Sequence, residues 1–391
     1  MRPVSDLPAT HTQKINASGC NIEYLVQCVI IKQELDYDTF TQTMRQWGVK
    51  LHPALFVYPL SNVWNISVSV EELRRRSNKH PFTVKAPFKK QLSNPYFKPD
   101  HEVVESYRNK VLLEPKARCG NSHSVHVIVP SSPGDERRRN AIRDTWGSVS
   151  QNGTWPGKAL SLSVKLTFIV GIQDKGDNHL RSKPTLTKSM QFTNESQFDD
   201  IVQFDMIDSY SNLTRKILLA LKWVVHSCKS VQYIIKADQD IFINVPILLS
   251  FLKHHGKDNS IYGFMYEGGY VARRGRWGTP KEAYPLDYYP VYASGNAYVV
   301  SRTAAEKLVR LSTHFPYVPI EDAFITGILA SVAAIDRIHM NAFTHWQLPK
   351  QPPCDFINDK KFAGNGMTES DMRNVWQKHL EVENRGRSIC K

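Results

Sequence analysis

Apolar positions are scattered along the chain up to about residue 115 and fall into ordered runs from about residue 120 onward. In the first stretch proline, asparagine and charge interrupt every apolar run, and Pro81, Pro87, Pro95 and Pro99 prevent any long element. Residues 1–115 therefore read as an amino-terminal extension or stem with little core of its own, and residues 116–391 as the folded domain. There the apolar run at 125–129 predicts a strand and 130–134 a loop. Asp135 is placed to cap a helix that runs from Glu136 through Trp146 and stops at Gly147, with Ile142 and Trp146 on its core side. Further strands are predicted at 164–170 and 201–204. Asp208 or Ser209 opens a long helix whose apolar residues Leu213, Ile217, Ala220, Leu221 and Val224 recur at helical spacing. A β-branched run at 231–235 follows, then a second apolar run at 241–245. Strand, helix, strand in this order gives an α/β class with a mainly parallel sheet covered by helices. No internal repeat or long low-complexity tract is present.

The strand at 231–235 delivers Asp238 and Asp240 into a turn at its carboxyl end. Two acids at i and i+2 can share one hard divalent cation, which keeps open positions for phosphate oxygens. The carboxyl ends of strands are also where open α/β sheets bind ligands. Together these features predict a metal-dependent enzyme acting on a nucleotide diphosphate. The other reading is a turn that uses Asp for its local hydrogen bonds. Asp-x-Asp is expected about once by chance in a chain this long. A second copy stands at Asp36-Tyr37-Asp38 after no strand-like run, and it reads as solvated surface acids.

Three other segments carry candidate chemistry. Arg139 and Arg143 share a face of the first helix, either near a diphosphate or nucleotide base or on a solvated or salt-bridging face. The aromatic stretch at 288–298 ends in small residues that let backbone approach a ligand, or it is an ordinary loop-to-strand junction. Glu321 and Asp322 stand at a helix start, where the macrodipole favours acids. A carboxylate there is also a candidate general base for an attacking hydroxyl.

An apolar fraction of 41% supports a sizeable core, and the net charge of +13 fits phosphorylated substrates or anionic surfaces. The basic residues lie in short dispersed clusters and form no recognisable nucleic-acid module, so no nucleic-acid partner is expected. Six cysteines without a Cys-x-x-Cys pair argue against a zinc ribbon and permit up to three disulfides of unstated pairing. Five Asn-x-Ser/Thr sequons, at Asn16, Asn65, Asn152, Asn194 and Asn212, lean toward the secretory lumen. The longest amino-terminal apolar run, residues 24–31, falls well short of the roughly twenty residues of a spanning helix.

Five blocks, in order, resemble the β-1,3-galactosyltransferase family. They are Glu136-Arg-Arg-Arg-Asn-Ala-Ile-Arg-Asp-Thr-Trp-Gly147, Asp208-Ser-Tyr-Ser-Asn-Leu-Thr-Arg-Lys216, Lys236-Ala-Asp-Gln-Asp-Ile-Phe-Ile-Asn244, Tyr289-Pro-Val-Tyr-Ala-Ser-Gly295 and Glu321-Asp-Ala-Phe-Ile-Thr-Gly327. The resemblance covers roughly residues 110–380 and implies inverting, UDP-sugar-dependent Golgi enzymes. It implies a GT-A type glycosyltransferase fold, with a Rossmann-like nucleotide-binding half continuous with an acceptor-binding half. By the same resemblance Asp240 is the ligand of Mn²⁺ (or Mg²⁺), with Asp238 toward the ribose or a metal-bound water. Asp322 becomes the catalytic base, Glu321 its alternative, and Arg139 and Arg143 gain weight as nucleotide-binding residues. The implied reaction transfers galactose from UDP-galactose to the 3-hydroxyl of a glycan acceptor on a glycoprotein or glycolipid. The alternatives are an N-acetylglucosaminyl- or N-acetylgalactosaminyltransferase, or a non-catalytic carbohydrate- or polyanion-binding protein on the same scaffold. Ala293 stands where a Cys is common, Gly295-Asn296-Ala297 replaces a more glycine-rich run, and Asn365 stands where a His is usual. These departures spare the two aspartates and bear on sugar specificity. Family members are anchored in the Golgi membrane at the amino end with a lumenal catalytic domain. The absence of a visible anchor suggests a shortened amino terminus. The sequence leaves the oligomeric state open.

Overall fold

Strands buried on both faces read as unbroken apolar runs, and they form the centre of this molecule. The computed structural model describes residues 93–385 and 390, apart from 101, 118, 120–123, 174–191, 193–194, 196, 268 and 346. In chain order the elements are β1 (Val111–Leu113), β2 (Val125–Pro130), α1 (Glu136–Arg143), β3 (Val164–Ile172), β4 (Ile201–Ile207) and α2 (Leu213–Ser227). They continue with β5 (Tyr233–Ala237), β6 (Phe242–Ile243), α3 (Val245–His255), β7 (Ser260–Tyr266), β8 (Tyr292–Ser301) and α4 (Arg302–Ser312). β9 (Asp336–His339), β10 (Ala363–Gly364) and α5 (Glu369–Arg385) complete the set.

Eight strands form one sheet in the order β1-β4-β3-β2-β5-β8-β7-β9. The four from β4 to β5 are parallel, as the alternation of strands and helices predicts. β8 runs antiparallel to both β5 and β7. Its amino-terminal end is therefore level with the carboxyl end of β5, where Ala237 pairs with Ala297. Side chains alternate between two cores, one on each face. Val125, Val127, Tyr233 and Ile235 enter one core. Ile128, Ile234 and the buried face of α2 enter the other.

Several boundaries differ from the sequence reading. Residues 93–115 are not wholly an extension: Phe97 and Tyr107 are buried in the second core, and β1 pairs with the sheet edge at β4. α1 ends at Arg143, and Trp146 begins a short 3₁₀ turn instead of continuing the helix. The core placement of Ile142 and Trp146 holds, both being fully buried. Asp135 makes no side-chain capping bond; its Oδ2 accepts a hydrogen bond from Gln239 instead. α2 begins at Leu213. Asp208 is drawn away from a capping position because its carboxylate accepts from Lys216 Nζ at 2.6 Å and Gly171 N at 2.7 Å. Ile217, Ala220, Leu221 and Val224 lie on the buried face, as their spacing predicts.

Cys119 pairs with Cys228 and Cys354 with Cys390. Cys20 and Cys28 lie outside the described residues, as does Asp36-Tyr37-Asp38. No helix among the described residues is long and apolar enough to cross a membrane.

Candidate active site

β5 carries one residue that breaks its apolar pattern, and the site forms around it. Lys236 is 1% exposed, and its strand neighbours are Ile235 and Ala237. A buried ammonium must be paired. Lys236 Nζ donates to Asp238 Oδ1 at 2.5 Å and to the carbonyl of Gly295, and lies 3.7 Å from Glu321 Oε2. One cation thus joins the aspartate turn after β5, the small residues of β8 and the acidic pair at 321–322. Burial lowers the Lys236 ammonium, but the charges of Asp238 and Glu321 outweigh burial and hold it above its usual range.

The acidic pair opens a helix that is π-helical over Ala323–Leu329, a form common at functional sites. The two acids have different surroundings. Glu321 is sealed, and its Oε1 accepts from the Tyr298 hydroxyl at 2.5 Å. Burial pushes its carboxyl up to about 7 against the opposing pull of Lys236. Asp322 is half-buried and accepts from two backbone groups, Gly295 N through Oδ2 at 2.8 Å and Ala323 N through Oδ1 at 2.8 Å. Burial also raises Asp322, with the Ala323 N–H opposing. Capping and chemistry are therefore compatible at Asp322, which caps the helix while remaining partly accessible. A Cβ at Gly295 would stand 3.0 Å from Asp322 Oδ2, so a larger residue there would press on the carboxylate that this N–H holds.

Asp240 is the other unusual carboxylate. Burial and then Asp238 raise its pKa, and among the described residues no side chain hydrogen-bonds to it. Asn365 is near it along the backbone, because Gly364 pairs with Phe242 and Met367 N donates to the Asp240 carbonyl at 2.9 Å. Asn365 Oδ1 and Gln239 Oε1 are buried side-chain oxygens with no hydrogen-bond partner among the described residues. Carboxylates and amide oxygens are hard donors that suit Mg²⁺ or Mn²⁺, so the residues present fit a divalent cation.

Arg139 and Arg143 have other partners than a nucleotide. Arg139 is fully buried, bidentate to Glu195, and donates to Ser131 Oγ and the carbonyls of Ser132 and Pro133. Arg143 is bidentate to Asp200 and also reaches Glu195 and Asn140. Neither guanidinium has a spare fork for phosphate, which corrects the direct nucleotide contact expected from sequence. The salt-bridging alternative is the one observed. Arg139 does fasten the loop after β2, and the Asp135–Gln239 bond joins that loop to the aspartate turn.

Sequence reasoning passed over Lys236, Tyr298 and Asp135 as site residues. The signal for Lys236 was available, since a lone charge inside a β-branched run has to be paired once buried. Tyr298 and Asp135 act through partners 23 and 104 residues away, a separation that no local pattern reveals.

The family model described as Galactosyltransferase matches residues 137–341, a span that includes Arg139, Asp238, Asp240, Glu321 and Asp322 and stops before Asn365. Lactosylceramide 1,3-N-acetyl-beta-D-glucosaminyltransferase of Xenopus tropicalis is 32% identical, over 73% of this chain and 73% of that protein. Beta-1,3-galactosyltransferase 2 of Homo sapiens is 29% identical over 62% of this chain and 56% of that protein. Beta-1,3-galactosyltransferase 1 of Mus musculus is 30% identical over 63% of this chain and 72% of that protein. From the matched family and these relatives, the chain belongs to the Galactosyltransferase family and is a hexosyltransferase.

Proposed function

We propose that the protein is an inverting β-1,3-galactosyltransferase that moves galactose from UDP-galactose to the 3-hydroxyl of a glycan acceptor. The observation that carries this reading is the junction at Gly295. Its carbonyl accepts from the lysine that holds Asp238, and its N–H donates to Asp322. A general base and a donor-binding turn therefore meet across one residue. In this reading the β2–β5 half holds the nucleotide and the β7–β9 side faces the acceptor.

Asp322 takes the proton of the acceptor hydroxyl as its oxygen attacks the anomeric carbon from the face opposite UDP. The bond from the anomeric carbon to the UDP oxygen breaks, and the α-linked sugar becomes β-linked. Asp240 and Asp238 would hold the cation, with Asn365 and Gln239 as further candidate oxygen donors. When bound there, Mn²⁺ or Mg²⁺ supplies positive charge to the departing diphosphate. Glu321 stays beside Lys236 and Tyr298 and sets the charge around the base. Two disulfides fit an oxidising lumen, in line with a Golgi placement.

Asp240→Ala removes a carboxylate that accepts no side-chain hydrogen bond among the described residues. Calorimetry with UDP is expected to show the Mn²⁺-dependent part of the affinity lost, with any metal-independent part retained. Unchanged Mn²⁺ dependence would remove the cation from this turn.

The acid limb of kcat reports the protonation of Asp322. Because burial raises that carboxyl, the limb is expected above the ~3.9 of an ordinary aspartate. Activity falls as pH drops through it. A limb at or below about 4 in a pH–rate profile contradicts this environment.

A second donor has one observation in its favour, since the relative at 32% identity is named an N-acetylglucosaminyltransferase. UDP release from UDP-galactose and from UDP-N-acetylglucosamine, measured with Mn²⁺ and a panel of saccharides, separates the two. Release from neither would favour the non-catalytic alternative.

A further inference from the structure

Exposed aromatic rings that are also held in place need a reason, because the free protein gains nothing by showing them to water. Trp277 is 51% exposed and Tyr210 is 43% exposed. They are far apart in sequence and fixed to each other, with Trp277 Nε1 donating to the Tyr210 hydroxyl at 3.0 Å. The Arg276 guanidinium lies over the Tyr210 ring, 4.4 Å from its centroid.

Both halves of this cluster are tied to elements that carry the base. The Tyr210 turn leads into α2, where Thr214 Oγ1 donates to the Val318 carbonyl at 2.9 Å. Within that turn the Ser211 carbonyl accepts from the Tyr317 hydroxyl at 2.5 Å. Val318 is four residues before Asp322. Trp277 lies on a loop closed by the bond from Thr279 N to the Ala272 carbonyl at 2.8 Å. The Thr279 hydroxyl meets the Tyr289 hydroxyl at 2.6 Å, and Tyr289 precedes the strand that contains Gly295. The Tyr210 phenol is raised by burial, with the hydrogen bond from Trp277 opposing.

Resting on the transfer reading above, we propose that Trp277 and Tyr210, braced by Arg276, form the acceptor subsite and stack against the apolar face of a pyranose ring. Sugars present C–H faces that pack on aromatic rings, while their hydroxyls keep their hydrogen bonds. A Trp held by its N–H presents such a face with little left to order on binding. The occupant is a sugar and not a protein surface, because the cluster is small, is edged by arginine, and is connected to the base from both sides. It is also distinct from the donor turn, whose contacts run through Lys236 and Gln239.

The test is steady-state kinetics of Trp277→Ala and Trp277→Phe with UDP-galactose and Mn²⁺, using lactose and N-acetylglucosamine as acceptors. Trp277→Ala is expected to raise the acceptor KM about tenfold, the size of one aromatic contact. The donor KM and the slow hydrolysis of UDP-galactose without acceptor should not change, and Trp277→Phe should recover most of the loss. Saturation-transfer NMR with the same two sugars should show ring-proton signals on the wild type that weaken in Trp277→Ala. An unchanged acceptor KM, an equal rise in the donor KM, or signals indifferent to the substitution would each overturn the subsite. Absence of sugar signals from the wild type would overturn it too. Failure of UDP release with sugar signals intact would instead count against the transfer reading alone.

Discussion

Asp322→Asn should bind UDP and Mn²⁺ like the wild type and lose transfer by about 10²–10⁴-fold, the range for removing a general base. The variant keeps the shape of the side chain. It retains an oxygen for one of the two N–H groups at Gly295 and Ala323 and gains an NH₂ facing the other. What it cannot do is accept a proton. In the proposed reading donor binding rests on the turn at 238–240 and on Lys236, and Asp322 makes no hydrogen bond to either among the described residues. The effect should therefore fall on kcat and leave UDP affinity within about twofold. Glu321→Gln provides the contrast. Glu321 is enclosed by Tyr298 and Lys236, so a smaller loss is expected there. If Asp322→Asn turns over near the wild-type rate while Glu321→Gln fails, the base is Glu321.

The second large effect concerns stability. Glu195→Ala is expected to destabilise the protein by about 3–5 kcal/mol, because it leaves buried guanidinium charge without its partner. Among the described residues Arg139 has Glu195 as its one carboxylate partner, with side-chain exposures of 0% and 3% in the pair. Arg143 keeps Asp200 and so limits the damage. Burial raises the Glu195 carboxyl, but hydrogen bonds from Arg139 and Arg143 outweigh it and hold the group below its ordinary value. The sign follows from that depression. The stabilisation is present above the unfolded-state pKa and is lost as pH falls through the lower folded value. Chemical denaturation at neutral and acidic pH would show it: the gap between wild type and Glu195→Ala should narrow on acidification. A variant as stable as the wild type at neutral pH would mean the cluster is replaceable.

How much of this was legible in the chain depended on range. The parallel strands were readable because burial on both faces leaves an apolar run, and 125–129 and 231–235 show one. Asp238 and Asp240 stand out in the sequence because they follow such a run. The reversed direction of β8 was not readable, since period and composition do not say which neighbour a strand pairs with. Which of the two readings of Arg139 and Arg143 applied was not readable for a related reason. Their spacing showed a shared helix face, but Glu195 and Asp200 reach that face from beyond 50 residues away. The capping signals at Asp135 and Asp208 failed because each aspartate had a stronger tertiary partner, Gln239 in one case and Lys216 in the other.

The antiparallel β8 has a consequence for the order in which the protein is made. β5, with its aspartate turn, leaves the ribosome about 55 residues before its sheet neighbour β8 begins at Tyr292. During that interval the β5 edge is open, apolar and able to pair with another strand. The base follows later still, at Asp322. A nascent chain can thus assemble its parallel strands early, yet the β5 edge stays adhesive until β8 inserts. Completing the proposed site comes later than closing this edge, because it waits for the segment that carries Asp322.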